Sequence, residues 1–229
     1  MTYVMSDIHG EYELFMRLLD KINYADTDEL IVCGDIIDKG ASPIKLAKAL
    51  FEMPNAYCIK GNHEQMFFKF YRSRMHSAVM DYDAILWHLR EYFKYGDGEL
   101  LDWDTVDRLT DLPYYIERER FVCVHAGIPT DENGCPLPLC EADPEELVND
   151  RLFKSESFLP RSEKCVFFGH TPTQYIRQGG ILTYAREGRA KNSANIEDYI
   201  KIHLDTGVYL SGMLGVFRTD DCTSHFVTK

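Results

Sequence analysis

Asp7 and His9 stand two apart at the end of a short apolar run, Tyr3-Val4-Met5. In extended backbone the side chains at i and i+2 point to the same side, so one carboxylate and one imidazole can grip the same cation. The pattern recurs along the chain. Leu30-Ile31-Val32-Cys33 runs into Gly34-Asp35-Ile36-Ile37-Asp38-Lys39-Gly40, where two carboxylates flank a turn. Ala56-Tyr57-Cys58-Ile59 runs into Gly61-Asn62-His63-Glu64, and Phe121-Val122-Cys123-Val124 into His125-Ala126-Gly127. Cys165-Val166-Phe167-Phe168 runs into Gly169-His170-Thr171-Pro172, and Ile202-His203-Leu204 into Asp205-Thr206-Gly207. Taken singly, Asp-x-His is a weak signal, and His125 and His170 each read as structural histidines. Six such clusters in this order point to one shared site.

Asp7, His9, Asp35, Asn62, His125 and His170 are more ligands than one metal with about four to six positions can use. Two metals sharing a carboxylate can use them all, and Asp35, central in the order, is the expected bridge. Mixed imidazole, carboxylate and amide ligands suit manganese, iron or zinc, manganese first, better than magnesium or calcium. No cysteine belongs to the set, which argues against a structural zinc site. Two divalent cations about 3.5–4 Å apart make a bridging water ionise and neutralise phosphate oxygens, so the expected chemistry is in-line attack of a bridging hydroxide on phosphorus. The leaving alkoxide then needs a proton. His63, beside Asn62 but not needed as a ligand, is the candidate general acid. Asp38 is placed to orient it and raise its pKa, and Lys39 would face the phosphate as a compact cation.

The elements that must position these groups follow from the same runs. Short, continuous, β-branched-rich apolar segments read as strands buried on both faces. Leu14, Leu18, Leu19 and Ile22 recur at helical spacing, as do Ile44, Ala47 and Leu50, so helices alternate with the first three strands. That alternation predicts layered α/β architecture, in which ligands gather at the carboxyl ends of strands. Residues 65–112 are rich in Phe, Tyr, Trp and Met and read as two or three helices, broken near Gly96-Asp97-Gly98 and ending before Pro113. They form a helical insertion that packs on the sheet or caps the substrate. Residues 130–146, with several prolines, read as a loop. Residues 176–200 read as a long polar connection or a solvated hairpin.

The chain of 229 residues suits one domain, 1–229, with 65–112 as an insertion within it. Its 25 Lys and Arg against 37 Asp and Glu give a formal net charge of −12. That balance argues against nucleic-acid polymers and anionic membranes as partners. No apolar run is long enough to span a membrane. Seven cysteines with no Cys-x-x-Cys pair, and a start lacking a signal-peptide pattern, point to the cytoplasm. Cys33, Cys58, Cys123 and Cys165 lie in apolar runs and read as small buried hydrophobes. Cys135 and Cys140 flank a Pro-rich loop and carry at most a weak zinc or disulfide signal. His76, His88 and His225 read as surface or packing residues. His203 shares a strand face with Asp205 and is a candidate for a place behind the ligands.

Together, Asp7-x-His9-Gly10, Gly34-Asp35-x-x-Asp38-Lys39-Gly40, Gly61-Asn62-His63-Glu64, His125-Ala126-Gly127 and Gly169-His170 resemble the calcineurin-like metallophosphoesterases. The likeness is closer to the phosphoprotein phosphatase branch in its compact bacterial and phage form, over residues 5 to about 215. The resemblance implies a β-sandwich of two mixed sheets flanked by helices. It implies one metal on Asp7, His9 and Asp35, and a second on Asp35, Asn62, His125 and His170. It implies His63 as the acid with Asp38 behind it, and a closing strand at Asp205-Thr206-Gly207. The expected activity is serine/threonine protein phosphatase, acting on phosphorylated protein or peptide. Hydrolysis of a small phosphoester such as a dinucleoside tetraphosphate is the alternative, and relatives of that type tend to lack the Asp that partners the acid histidine. The sequence departs from the family pattern in several places. Lys39 replaces a phosphate-binding arginine and loses its fork geometry. Leu147-Val148-Asn149-Asp150-Arg151 lacks the expected Trp, which leaves Arg151 as the displaced candidate for the second phosphate-binding arginine. Ala126 follows His125, as in bacterial relatives. Pro172 stands where nuclease-type and nucleotidase-type relatives carry another histidine.

Overall fold

The computed structural model describes residues 1–76, 81–93, 99–177 and 179–229. In chain order the elements are β1 (Thr2–Met5), α1 (Tyr12–Lys21), β2 (Glu29–Val32), α2 (Pro43–Glu52), β3 (Ala56–Cys58), α3 (Asn62–Met75), α4 (Tyr82–Tyr92) and α5 (Trp103–Asp111). They continue with β4 (Tyr115–Glu117), β5 (Phe121–Val124), α6 (Pro144–Asn149), β6 (Cys165–Phe168), β7 (Leu182–Ala185), β8 (Tyr199–His203), α7 (Val208–Ser211), β9 (Met213–Arg218) and β10 (Thr223–Thr228). The strands form two five-stranded sheets, β10-β9-β1-β2-β3 and β4-β5-β6-β8-β7. Each is mixed. In the first, β1, β2 and β3 run parallel, β9 pairs antiparallel with β1, and β10 pairs antiparallel with β9. In the second, β5, β6 and β8 run parallel between antiparallel edges β4 and β7. The expected sandwich of two mixed sheets flanked by helices is therefore what the chain forms.

Alternation along each strand explains the continuous apolar runs. Val4, Ile31 and Cys33 face the second sheet and pack with Cys123, Cys165, Phe167 and Ile202 between the layers. Tyr3, Met5, Leu30 and Val32 face the other way, onto Leu14, Phe15 and Leu18 of α1 and Ile44, Ala47 and Leu50 of α2. Val122, Val124, Val166 and Phe168 line the outer face of the second sheet beneath Leu147 of α6 and Phe153. Strands covered on both faces need no polar residue until they end.

The insertion comprises α3, α4 and α5, with Phe67, Leu89, Val106 and Leu109 in the helix-side core of the first sheet. Helix α3 starts at Asn62, three residues before the expected insertion, so it belongs to the site as well. The break expected near Gly96-Asp97-Gly98 lies outside the described residues. One loop expectation needs correction. Residues 130–146 contain a bridge between Thr130 and Pro136, a 3-10 turn at Leu139–Glu141 and the start of α6. There Pro144 occupies the first turn, and the Asp143 side chain accepts Glu145 N–H at 2.9 Å. Residues 176–200 contain β7, which pairs with β8, so the hairpin reading holds over the plain connection. All seven cysteines are free thiols, and Cys33, Cys58, Cys123 and Cys165 are buried. Among the described residues no helix is long and apolar enough to cross a membrane.

Candidate metal centre

The pairing of β1 with β2 continues past both strand ends. Asp7 N–H donates to Gly34 O at 3.1 Å, His9 N–H to Asp35 O at 2.9 Å and Gly10 N–H to Ile36 O at 2.7 Å. Two loops are thus laid side by side, and both carry unusual backbone. Asp7, His9, Asp35, Asp38 and Lys39 all have φ between 50° and 69°, the left-handed region that side-chain-bearing residues rarely adopt. His170 adds a sixth at 71°. Such strain clusters where the surrounding structure over-determines it.

Glu64 supplies much of that determination. Its carboxylate is fully buried and accepts Asp35 N–H and Ile36 N–H at 2.9 Å, Ile37 N–H at 3.0 Å and Gly61 N–H at 2.8 Å. One side chain at the third position of α3 therefore satisfies the N–H of its own N-cap and three more in the Asp35 loop. The sequence motif contains Glu64 without marking its role; its place three residues past the cap, before the apolar run Met66-Phe67-Phe68, is the available signal. Gly61 is required here, because a Cβ would collide with the Asp35 carboxylate and backbone.

Asp35 lies at the middle of the assembly, 2% exposed. His9 Nδ1 donates to Ile37 O at 3.2 Å, and His125 Nδ1 donates to Cys33 O at 2.8 Å. A carbonyl can only accept, so each ring turns its Nε2 lone pair inward. His9 Nε2 meets Asp35 Oδ2 at 3.6 Å, and His125 Nε2 meets Asp35 Oδ1 at 3.3 Å. Each oxygen of one carboxylate thus faces the lone pair of a different imidazole. Asp7 Oδ1 is 3.9 Å from His9 Nε2, is buried and has no hydrogen-bond partner, while Asp7 Oδ2 accepts Ser6 Oγ–H at 2.5 Å and His170 N–H at 3.0 Å. Asn62 Oδ1 lies 3.0 Å from His125 Nε2 and 2.9 Å from His170 Nδ1.

Acceptors brought together in this way fit cations. Among the described residues, two groups have ligand atoms close enough to share one ion: His9, Asp35 and His63, and Asp7, Asp35 and His125. Both contain Asp35. Burial, and then the charge of Asp7, push the Asp35 carboxyl well above its usual pKa. Burial, with the nearby charges of Lys39 and His63, draws His9 down to about 3 against the pull of Asp7. Burial, then His125 and Arg151, bring His170 to about 3 as well. The rings are neutral near neutral pH, the form a metal requires.

His63 is arranged differently. Its Nδ1 is 2.7 Å from Asp38 Oδ2 and its Nε2 is 3.8 Å from Asp35 Oδ2. Burial opposes the charged ring, but the Asp38 hydrogen bond and the Asp35 charge outweigh it, and the pKa is raised. Tyr92, from α4, donates its hydroxyl to the same Asp38 oxygen at 3.2 Å. The insertion therefore reaches the site through a residue that sequence spacing did not single out.

The remaining candidates sit at the rim or behind. Lys39 Nζ is 2.9 Å from His9 Nε2 and 4.3 Å from the centre of the Tyr209 ring. Arg151 is exposed, outside the converging ligands, with its charge felt at His170. His203 is buried and stacks on Phe168 at 4.3 Å, behind the site. Asp205 is buried and accepts Gly207 N–H at 2.8 Å. His76 is exposed, and His88 and His225 are partly exposed.

A model of the calcineurin-like phosphoesterases matches residues 2–204. Serine/threonine-protein phosphatase 2 of Salmonella typhimurium is 27% identical over 228 residues, which covers 94% of this chain and 91% of that protein. The symmetrical bis(5'-nucleosyl)-tetraphosphatase of Buchnera aphidicola is 28% identical over 155 residues, 66% of this chain and 53% of its own length. Among solved structures, one described as a candidate diadenosine tetraphosphatase superposes with a TM-score of 0.68 at 18% identity, covering 99% of this chain and 92% of that one.

Proposed function

The chain belongs to the calcineurin-like phosphoesterase family, and from that premise we propose that this metal-dependent hydrolase removes phosphate from phosphoserine and phosphothreonine in protein or peptide. The observation that carries the reading is Asp35, whose two oxygens face the lone pairs of His9 and His125 at 3.6 and 3.3 Å. In this reading Asp7, His9 and Asp35 hold one divalent ion, and Asp35, Asn62, His125 and His170 the other. Bound there, two such ions supply ionised water near neutral pH and neutralise phosphoryl oxygens.

The chain's own groups do the rest. His63, kept protonated by Asp38, delivers the Nε2 proton to the leaving alkoxide oxygen. Asp38, with the Tyr92 hydroxyl on the same oxygen, holds the ring in the orientation that aims Nε2 inward. Lys39 and Arg151 bring positive charge to the phosphoryl oxygens, and Asn62 stands at the same edge. Donors of mixed imidazole, carboxylate and amide type favour manganese, then iron or zinc. Residues 1–229 act as one domain, with 65–112 as the insertion that touches Asp38. The free cysteines support a cytoplasmic setting.

Support for a protein substrate comes from the Asp38–His63 pair and from the Salmonella phosphatase, which matches nearly end to end. A second reading, hydrolysis of a dinucleoside tetraphosphate, is favoured by the Buchnera enzyme. Metal-stripped protein reloaded with manganese should release phosphate from p-nitrophenyl phosphate and from a phosphoserine peptide faster than it cleaves diadenosine tetraphosphate. The reverse order of kcat/KM would make the nucleotide the substrate.

A further inference from the structure

Lys201 lies in β8, fully buried, with its side chain on the outer face of the second sheet. Its ammonium donates three hydrogen bonds, to Phe153 O at 2.6 Å, Ser155 O at 2.8 Å and Phe158 O at 2.6 Å. The rings of Tyr184 and Phe153 close around it, with centroids 4.7 and 5.0 Å from Nζ. Burial draws the amine down to about 7, against the charges of Asp150 and Glu156. Three carbonyls, however, are matched only by the charged form, which has three donors and no acceptor. Carbonyls, rather than a carboxylate, thus serve as its shell.

The segment that supplies them has no helix or strand between Asp150 and Pro160, yet it covers a sheet face that would ordinarily take a helix. Buried carbonyls in irregular backbone must find donors. Lys201 provides three at once, and an apolar side chain of similar volume would strand all three. A buried charge is weak evidence for stability alone and is better understood as selecting one arrangement.

The arrangement it selects fixes Arg151. Asp150 Oδ1 accepts Leu152 N–H at 2.6 Å, closing a turn around Arg151. Phe153 packs on Gly127, two residues past His125, so closely that a Cβ there would come within 2.6 Å of Phe153 Cβ and 2.8 Å of Asp150 Oδ2. Ala126 N–H donates to Leu147 O at 2.8 Å. Arg151 is thereby held between two anchored neighbours, beside the loop that carries His125.

We propose that Lys201 is a positioning residue: its ammonium gathers the Phe153–Phe158 segment and so sets Arg151 to bind the phosphate of the substrate. The proposal rests on the phosphate-binding role given to Arg151 above. Two measurements on the manganese-loaded enzyme test it: calorimetric binding of inorganic phosphate, and amide hydrogen exchange of residues 152–158. Lys201→Met should speed exchange in that segment while leaving β5 and β6 protected. It should also weaken phosphate by about tenfold, the size of one charge-assisted hydrogen bond, with kcat little changed. Arg151→Ala should weaken phosphate to a similar degree, and the double variant should bind no worse than Arg151→Ala alone. Additive losses in the double variant, or unchanged phosphate binding in Lys201→Met despite faster exchange, would overturn the positioning role while sparing that of Arg151. Unchanged phosphate binding in Arg151→Ala would overturn both. If Lys201→Met does not fold, Lys201→Gln keeps two donors, and an intermediate loss of phosphate binding is the expected result; full binding in that variant with faster exchange would overturn the proposal.

Discussion

The two sheets contribute to the centre in different ways. The first sheet delivers Asn62 and His63 from the start of α3 and Asp7, His9, Asp35, Asp38 and Lys39 from loops, these five on left-handed backbone held by a mesh of main-chain hydrogen bonds and the Glu64 carboxylate. The second sheet delivers His125 and His170, and its outer face is dressed by an irregular segment gathered around Lys201. In the first half a buried carboxylate gathers main-chain N–H groups, and in the second a buried ammonium gathers main-chain carbonyls. A reaction centre tolerates little displacement, whereas a surface that meets substrates of different shape can be remodelled one side chain at a time.

Substitutions can break or sharpen that contrast. The largest effect belongs to Asp35→Asn, which removes the shared carboxylate charge. Phosphate release should fall by more than the about 10²–10³-fold that one transition-state donor supplies, with loss of metal on dialysis as the companion measurement. His63→Ala should lower kcat by about 10²–10⁴-fold on alkyl phosphates and much less on p-nitrophenyl phosphate, whose leaving group needs no proton. Equal losses on both would remove His63 from the role of acid. Glu64→Gln keeps one acceptor oxygen and strands the N–H groups that faced the other. Its cost should be on the order of 3 kcal/mol in urea unfolding. A cost near zero would mean that the first-sheet loops hold themselves. On the second sheet, Arg151→Ala should raise KM about tenfold with kcat nearly unchanged.

The mildest change is a control outside both sets of loops. Asp102 caps α5 by accepting Thr105 N–H at 2.9 Å. Burial works against its charge, but the Thr105 hydrogen bonds and Lys48 hold its carboxyl at about 2, below the reference 3.8. A depressed carboxyl stabilises the fold above its unfolded pKa, and the contribution fades as pH falls from about 4 towards 2. Asp102→Asn should keep the cap hydrogen bond but lower the melting temperature slightly at pH 7, and should flatten the acid limb of stability between those values.

Much of this is legible in the sequence. Strands β1, β2, β5 and β6 lie between two apolar layers, so their residues are apolar without interruption and stop abruptly at the ligand loops. That abruptness exposed Asp7, Asp35, Asn62, His125 and His170 as a set. The edge strands β4, β7 and β10 gave no such mark, although the edge strand β3 did. β4 has three residues, and β10 carries Thr, Ser and His because it is only half covered. Glu64, Tyr92 and Lys201 went unassigned for another reason. Each has partners 25 or more residues away, Glu64 in addition to its own N-cap, and Lys201 binds carbonyls whose separations of 43–48 residues no local pattern records. Composition can mark where a strand ends, but not which distant backbone a side chain will satisfy.

The left-handed residues have a consequence for how such proteins diverge. Each non-glycine residue held in that region costs of order 1–3 kcal/mol, and five of the six among the candidate ligands and their neighbours sit in the first-sheet loops. Glycine at Asp38 or Lys39 would relax the backbone while abolishing the chemistry. Catalysis is therefore held against a thermodynamic slope. Once selection for turnover lapses, drift towards a sturdier, silent descendant runs downhill.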